Sequence, residues 1–175
     1  MMQKSTFCNS IVLLFTVLFF TINSTSHLYA SHAMGADLTW ACLGNNEYLV
    51  TLKFFRDCDG IEPYSSYPMY YASSSCSVTG SITLSLVSNP LITNPQDITP
   101  LCPSEQSSCN GGSGQYGVEQ WFYQGTLTLP PGCGNDWVLS WSECCRNSAI
   151  TTLSSPDSQD FFVDALLDNT QPICN

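Results

Sequence analysis

Basic residues are scarce in this sequence. Its 175 residues include four Lys and Arg against 14 Asp and Glu, and the formal net charge is −10. A surface that binds nucleic acid needs a stripe of cations to neutralise phosphates. We therefore expect no nucleic-acid partner. Charged residues make up only 10% of the chain, so Ser, Thr, Asn, Gln and Gly supply most of the polar surface, which is typical of extracellular proteins.

Histidine is also scarce, and the motifs of common enzymes are missing. The chain has two histidines, and His32 stands at the start of the expected mature protein, which excludes a Ser-His-Asp or Cys-His arrangement. Neither a zincin motif, a G-x-S-x-G motif nor a C-x-x-C pair occurs. Asp57 and Asp59 are close enough for glycosidase chemistry, but no feature of the sequence indicates the cleft that this chemistry needs. We expect the protein not to be an enzyme.

Only one long apolar run occurs. The run "IVLLFTVLFF" (Ile11 to Phe20) follows Lys4 and precedes the small residues of "HLYASHA". This arrangement predicts a secretory signal peptide, residues 1–30, cleaved after Ala30 or Ala33. The run is shorter than the roughly 20 residues that a membrane span needs, although an uncleaved anchor remains the alternative. We expect a secreted or cell-surface protein without a span in its mature part, where three cations oppose 14 carboxylates for a net charge of −11.

Beyond the signal peptide, apolar residues alternate with a period of two instead of following a helical period. In "ADLTWAC" and "EYLVTLKFF" this alternation predicts two strands whose inner faces carry Ala36, Leu38, Trp40, Cys42, Tyr48, Val50, Leu52 and Phe54. The residues "LGNN" lie between the two strands and predict a hairpin turn.

Further strands are predicted at residues 81–88, 118–129, 136–144 and 160–167, with a helix as the alternative for the last one. Long connections are expected at residues 61–77 and 89–117. The predicted fold is all-β, an antiparallel Ig-like β-sandwich over residues 31–168 that is stapled by disulfides. Residues 169–175 then start a linker or another module.

Nine cysteines follow the expected cleavage site, and we expect them to be oxidised in an exported protein. They are Cys42, Cys58, Cys76, Cys102, Cys109, Cys133, Cys144, Cys145 and Cys174. The adjacent pair in "WSECCRN" lies at the end of a predicted strand, where neighbouring side chains point to opposite faces. We therefore favour two separate bridges for this doublet over a vicinal disulfide, a metal site or a redox site.

The partners of these cysteines are only partly constrained. Cys102 and Cys109 bracket a short polar loop and are expected to pair, as are Cys76 and Cys133, both in loops. Cys42 and Cys58 then remain for the doublet. The strand faces favour a bridge from Cys58 to Cys145 across the core, with Arg56 near Glu143. Cys174 has no partner left, which indicates a chain cut short or an intermolecular bridge, and we favour truncation.

Two stretches contain candidate binding residues. In "RDCDG", Asp57 and Asp59 with the following Glu62 can reach one Ca²⁺, but the other ligands of an EF-hand are missing, and we favour an Asx turn and no cofactor. The cluster "PYSSYPMYY" carries Tyr64, Tyr67, Tyr70 and Tyr71. These rings are a candidate platform for sugars, and we favour instead a half-buried loop on the sandwich edge.

The chain from residue 31 onward resembles the N-terminal region of very large secreted proteins of the Bacteroidota. The stretches that carry this resemblance are "SHAMGADLTWACLGNNEYLVTLKFFRDCDG", "PLCPS", "CNGG", "GVEQWFYQGTLTLPP", "DWVLSWSECCRN" and "LDNTQPICN". Such proteins carry further PKD or cadherin-like repeats and a gliding motility-associated C-terminal sorting region. The resemblance implies export by the general secretory route and a type IX system, further downstream domains, and no enzymatic activity.

Composition, pattern and resemblance together predict a non-catalytic β-sandwich module of a secreted or cell-surface, adhesin-like multidomain protein. Its expected partners are an extracellular protein or glycan surface and the downstream domains of the same protein. The alternative is a small secreted carbohydrate-binding module that uses the tyrosine cluster.

Overall fold

The computed structural model describes residues 33–112 and 117–170. The expected signal peptide, Cys8 and Cys174 lie outside the described residues. Strands make up 52% of the structure and helices 4%, which confirms the predicted all-β class. The strands are β1 (Ala33–Gly44), β2 (Glu47–Asp57), β3 (Ser66–Ser73), β4 (Val78–Leu86), β5 (Gln96–Asp97), β6 (Val118–Thr128), β7 (Trp137–Glu143) and β8 (Phe161–Leu167).

The strands form one antiparallel sheet in the order β1-β2-β6-β4-β3-β7-β8, and the short β5 pairs with β6. This sheet folds over on itself into a sandwich that is nearly closed into a barrel. Its two end strands, β1 and β8, are not paired by a backbone ladder. They meet through a side chain, because the indole Nε1 of Trp40 in β1 donates to the carbonyl of Leu166 in β8 at 2.9 Å. The strands β1, β2 and β6 thereby face β4, β3, β7 and β8 across a shared core.

Aromatic side chains from both layers fill the core. Phe54 on β2 contacts Trp141 on β7 edge-on with ring centroids 5.3 Å apart, and Tyr67 on β3 contacts both rings. Such edge-to-face pairs stabilise the core beyond the burial of their area. The inward residues of β2 are fully buried, as the alternation in the sequence predicts: Tyr48, Val50, Leu52 and Phe54.

Most predicted strands are confirmed within a few residues. Gly44, Asn45 and Asn46 have positive φ in the β1–β2 turn, as expected for "LGNN". The strand predicted at residues 160–167 is β8, and its helical alternative is wrong. The prediction of a long connection at residues 61–77 is also wrong, because this segment contains β3. Turn-forming Ser and Pro obscured the strand, although Tyr67 and Met69 alternate with polar or exposed positions.

Three disulfides join pairs of cysteines within the described residues, and one of the three follows the expected pairing. Cys76 is joined to Cys133, as predicted, and this bridge connects the β3–β4 turn with the β6–β7 loop. Cys58 is joined to Cys109, so the expected pair of Cys102 and Cys109 is wrong. The β2 strand ends beside the loop that carries Cys109, whereas Cys102 keeps an exposed free thiol.

The adjacent cysteines bridge each other. Cys144 and Cys145 form a vicinal disulfide, so the prediction of two separate bridges is wrong, and so is the bridge from Cys58 to Cys145. The strand β7 ends at Glu143, and Cys145 has a φ of 83°. The strand geometry on which the prediction depended has therefore ended before the doublet. Cys42 is also disulfide-bonded.

A buried ion pair lies at the end of β2. Arg56 pairs with Glu119 of the neighbouring strand β6. The sequence predicted Glu143 as the partner of Arg56, and this prediction is wrong. The guanidinium also donates to the carbonyls of Cys58 at 3.0 Å and Gly60 at 3.2 Å. The Glu119 carboxylate accepts a further hydrogen bond, from Trp121 Nε1 at 2.7 Å. Both charges are therefore neutralised and hydrogen-bonded, which a buried ion pair needs in order to be tolerated.

Next to this pair, the "RDCDG" and "CCRN" stretches contact each other. Asn147 Nδ2 donates to Asp57 Oδ2 at 3.0 Å, and both residues are buried. The backbone of the same segment pairs with the first residue of β1, because Ala33 N donates to the Cys145 carbonyl and Asn147 N to the Ala33 carbonyl. The two stretches thus hold β1, β2 and β7 together at one end of the sandwich.

Candidate binding face

The outer surface of β3, β4, β7 and β8 is rich in hydroxyl groups. Residues on these strands alternate between the core and this surface. The outward positions, which we call the hydroxyl-rich face, are Ser66, Pro68, Tyr70, Ala72, Thr79, Ser81, Thr83, Ser85, Val138, Ser140, Ser142, Phe162, Asp164 and Leu166. Half of them are Ser or Thr, which suits the solvated face of an antiparallel sheet.

The strand register arranges these side chains in rows across the face. One row runs Ser81, Tyr70, Ser140 and Asp164, because Tyr70 pairs with both Ser81 and Ser140, and Ser140 pairs with Asp164. With neighbouring strands about 4.8 Å apart, this row spans roughly 14 Å. The carboxylate at its end is the only charged group among the outward positions.

Three large apolar side chains project from this face into solvent. Tyr70 is 54% exposed, Phe162 is 59% exposed and Leu166 is 71% exposed. Single exposed apolar residues are common on proteins, but here three of them share one sheet face, on β3 and β8 with β7 between these strands. They do not form a continuous apolar patch, because Asp164 and Ser140 lie between them. The face therefore alternates apolar surface with polar groups.

The opposite outer surface, on β1, β2 and β6, differs in its aromatic residues. Phe55 and Phe122 are only partly exposed. The Lys53 ammonium lies 6.0 Å from the centroid of the Phe122 ring, and the backbone of Phe122 bonds to the Asn94 side chain. The Phe122 ring is thus already in contact with another side chain of the protein, and both rings are less exposed than those of Tyr70 and Phe162.

The four tyrosines that the sequence brings together have different surroundings, although the rings of Tyr64 and Tyr67 contact each other edge-on with centroids 5.8 Å apart. Tyr67 is buried in the core, where burial and the nearby Glu143 carboxylate raise the pKa of its hydroxyl. Tyr71 packs against Trp137 with ring centroids 6.0 Å apart. Tyr64 is exposed near the start of β3, and Tyr70 lies on the hydroxyl-rich face. The cluster therefore spans strand β3 and the residues just before it, not a half-buried loop, and the four rings do not form one platform.

The "RDCDG" stretch forms the expected Asx turn. Asp57 Oδ1 accepts a hydrogen bond from Asp59 N at 3.1 Å, and its Oδ2 is occupied by Asn147. The Asp59 and Glu62 side chains are exposed. Among the described residues, no group of three or more His, Cys, Asp or Glu side chains is placed to hold a metal ion. The hydrogen bonds of Asp57 do not require a cation.

A second group of polar residues lies in the long loop before β6. Asp97 accepts hydrogen bonds from the hydroxyls of Ser107 and Thr99, and from Asn110 Nδ2 at 2.6 Å. These bonds, led by that from Ser107, lower the pKa of the Asp97 carboxyl. An open cleft of about 580 Å³ lies beside them, with Cys102 at its wall. The carboxylate orders this loop, since its oxygens are occupied by the loop's own donors.

The sequence contained a signal for the hydroxyl-rich face. In "DFFVDALL" the alternation assigns Phe161, Val163, Ala165 and Leu167 to the core, and it thereby leaves Phe162 and Leu166 in solvent. Apolar residues at outward strand positions are unusual enough to mark a surface of interest. The position of Tyr70 beside this strand was not predictable, because it depends on the pairing of β3 with β7.

No protein-family model, curated protein or solved structure gives a significant match to this chain. Within the described ranges, no helix has the length and apolar character needed to cross a membrane.

Proposed function

We propose that the chain is a non-catalytic β-sandwich module of a secreted or cell-surface, adhesin-like protein. In this proposal it binds an extracellular surface through the hydroxyl-rich face. The observation that carries the proposal is the exposure of Tyr70, Phe162 and Leu166 on one rigid sheet face. Exposed apolar groups on a solvated face have no stabilising role in the fold, whereas binding removes them from water.

The disulfides support an extracellular role. Disulfides persist in oxidising compartments and are rare in the cytosol. The resemblance to N-terminal regions of large secreted Bacteroidota proteins supports a place at the head of a multidomain chain. In that setting the module is exported by a signal peptide and a type IX system, needs no cofactor, and presents its face at the cell surface.

The proposal is tested by adhesion of the purified protein to surfaces. Fluorescently labelled protein is incubated with intact bacterial cells, plant and fungal cell walls, and immobilised matrix proteins. We expect retention on at least one surface and its loss in the triple variant Tyr70→Ser, Phe162→Ser and Leu166→Ser, because this variant removes the apolar contacts.

The matched control is a second triple variant, Leu43→Ser, Tyr64→Ser and Leu91→Ser. These side chains are 55%, 71% and 90% exposed and lie away from the hydroxyl-rich face. We expect this control to adhere like the wild type, with circular dichroism showing that both variants are folded. Equal retention of the two triple variants, or no retention on any surface, contradicts the proposed function.

A further inference from the structure

We infer that the ligand of the hydroxyl-rich face is a neutral glycan, an inference that rests on the proposed function. The inference follows from three properties of the face: its two aromatic rings, its hydroxyl and carboxylate groups, and its lack of cations. Each property separates a sugar from another class of partner.

The aromatic rings provide the apolar contact. One side of a sugar ring carries several C–H bonds, whose positive hydrogens pack against the negative face of an aromatic ring. Tyr70 and Phe162 lie on β3 and β8, with β7 between them. They are separated by two strand spacings, about 10 Å, and by a further displacement along the strands. A ligand that contacts both rings must therefore be longer than a single sugar.

The groups between the rings match the polar edges of a sugar. Asp164 and Ser140 are paired across β7 and β8, and Ser142 pairs with Phe162 in the same ladder. A carboxylate accepts hydrogen bonds from sugar hydroxyls, and hydroxyl side chains both donate and accept. A protein partner is less well matched, because protein interfaces are depleted in Ser and Asp and have a more apolar centre.

The distribution of charge excludes acidic glycans and acidic lipids. None of the three cations in the described residues lies on this face. Lys53 lies over Phe122 on the opposite surface, Arg56 is buried with Glu119, and Arg146 donates to the Asp160 carbonyl beside the Phe161 ring. The face carries one negative charge on a protein of net charge −10, which repels sulfated, uronic or phosphate-bearing ligands.

Pull-down on insoluble polysaccharides tests the inference directly. The probes are cellulose, chitin and mannan as neutral polymers, with alginate and heparin resin as acidic ones. We expect retention on at least one neutral polymer, none on the acidic ones, and little change with salt. Tyr70→Ala and Phe162→Ala should each weaken binding roughly tenfold, as expected for the loss of one aromatic contact.

Tyr64→Ala is the matched control, because it removes an exposed tyrosine outside the face, and it should bind like the wild type. An equal loss in Tyr64→Ala would place the ligand at the start of β3 and overturn the inference. Retention on the acidic polymers, or on no neutral polymer, also overturns it.

Chemical treatment of an adhesive surface distinguishes this inference from the proposed function. Periodate cleaves sugar diols, whereas protease removes proteins. Adhesion that is lost after periodate and survives protease supports the glycan. Adhesion that survives periodate and is lost after protease overturns the glycan and leaves the proposed function intact. A face-dependent dimer in analytical ultracentrifugation, without adhesion, overturns both.

Discussion

At the scale of single residues, the buried ion pair between Arg56 and Glu119 has the largest expected effect on stability. Both side chains are nearly inaccessible, at 7% and 10% exposure. A buried pair of this kind adds little relative to apolar residues, but the loss of one partner leaves an uncompensated charge. Glu119 also accepts a hydrogen bond from Trp121 Nε1, so a substitution of Glu119 has to preserve a hydrogen-bond acceptor.

We expect Arg56→Met to lower the free energy of unfolding by roughly 3–5 kcal/mol, because Glu119 stays buried without its cation. The double variant Arg56→Met with Glu119→Gln should recover much of this loss, since the amide oxygen still accepts from Trp121. Urea denaturation measures both values. The control is Lys53→Met, a surface cation whose loss should change stability by at most about 0.5 kcal/mol. An Arg56→Met variant as stable as this control contradicts the ion-pair account.

At the scale of structural elements, the disulfides determine which loops are fixed. The bridges Cys58–Cys109 and Cys76–Cys133 span 51 and 57 residues of sequence, whereas Cys144–Cys145 spans one. Because a cross-link removes loop-closure entropy from the unfolded chain, each of the long bridges is worth about 4 kcal/mol and the vicinal one far less. The stabilising bridges are therefore not at the doublet.

We expect Cys58→Ala with Cys109→Ala to lower the melting temperature much more than Cys144→Ala with Cys145→Ala. The reason is the length of the closed loop, and differential scanning calorimetry measures the difference. Cys102→Ser is the control and should melt like the wild type, because its thiol is exposed and free. Non-reducing peptide mapping should place Cys144 and Cys145 in one bridge; a link from either cysteine to Cys58 would refute the assignment.

At the scale of the whole molecule, carboxyl groups with shifted pKa values determine how the stability of the fold changes with pH. Hydrogen bonds from the side chains of Ser73 and Ser75, and from the Ser75 backbone, lower the pKa of Asp136 to about 2. Similar bonds lower the pKa of Asp97. A carboxyl with a lowered pKa in the folded state stabilises the fold above its ordinary pKa near 3.9, and this stabilisation is lost as the pH falls toward 2. Glu143 affects stability in the opposite direction, because burial raises the pKa of its carboxyl and makes the ionised form costly in the folded state.

We expect the melting temperature to fall as the pH is lowered from 4 to 2. Asp136→Asn should melt lower than the wild type at pH 7 and depend less on pH in this acid range, because it has no carboxylate to protonate. Thermal melts followed by circular dichroism at pH 7, 4 and 2.5 measure the effect. Asp164→Asn is the control, since Asp164 is exposed on the hydroxyl-rich face, and its melt should follow the wild type at every pH. A parallel pH dependence in Asp136→Asn contradicts the assignment.

Glu143→Gln provides the converse check in the same melts. It should be more stable than the wild type at pH 7, because the half-buried carboxylate is costly when ionised. The difference should shrink as the pH falls into the ordinary range of a carboxyl, where the wild-type side chain becomes protonated.

The sequence by itself determined the class of the fold and the composition of its core. Alternation of apolar and polar residues is local, so Tyr48 to Phe54 on β2 and Phe161 to Leu167 on β8 showed their buried faces before any strand was paired. The same local logic identified the turn at Gly44 and the Asx turn at Asp57. These features depend only on residues that are adjacent along the chain.

Only the tertiary structure decided which strands and cysteines are neighbours. Cys109 bridges Cys58 because the loop before β6 returns to the end of β2, a contact across 51 residues that no local pattern encodes. The doublet pairs with itself because β7 ends one residue before it. In the same way, Tyr70 joins Phe162 and Asp164 on one face only because β3 and β8 both pair with β7. The candidate binding face is therefore a product of strand order, which long-range packing selects.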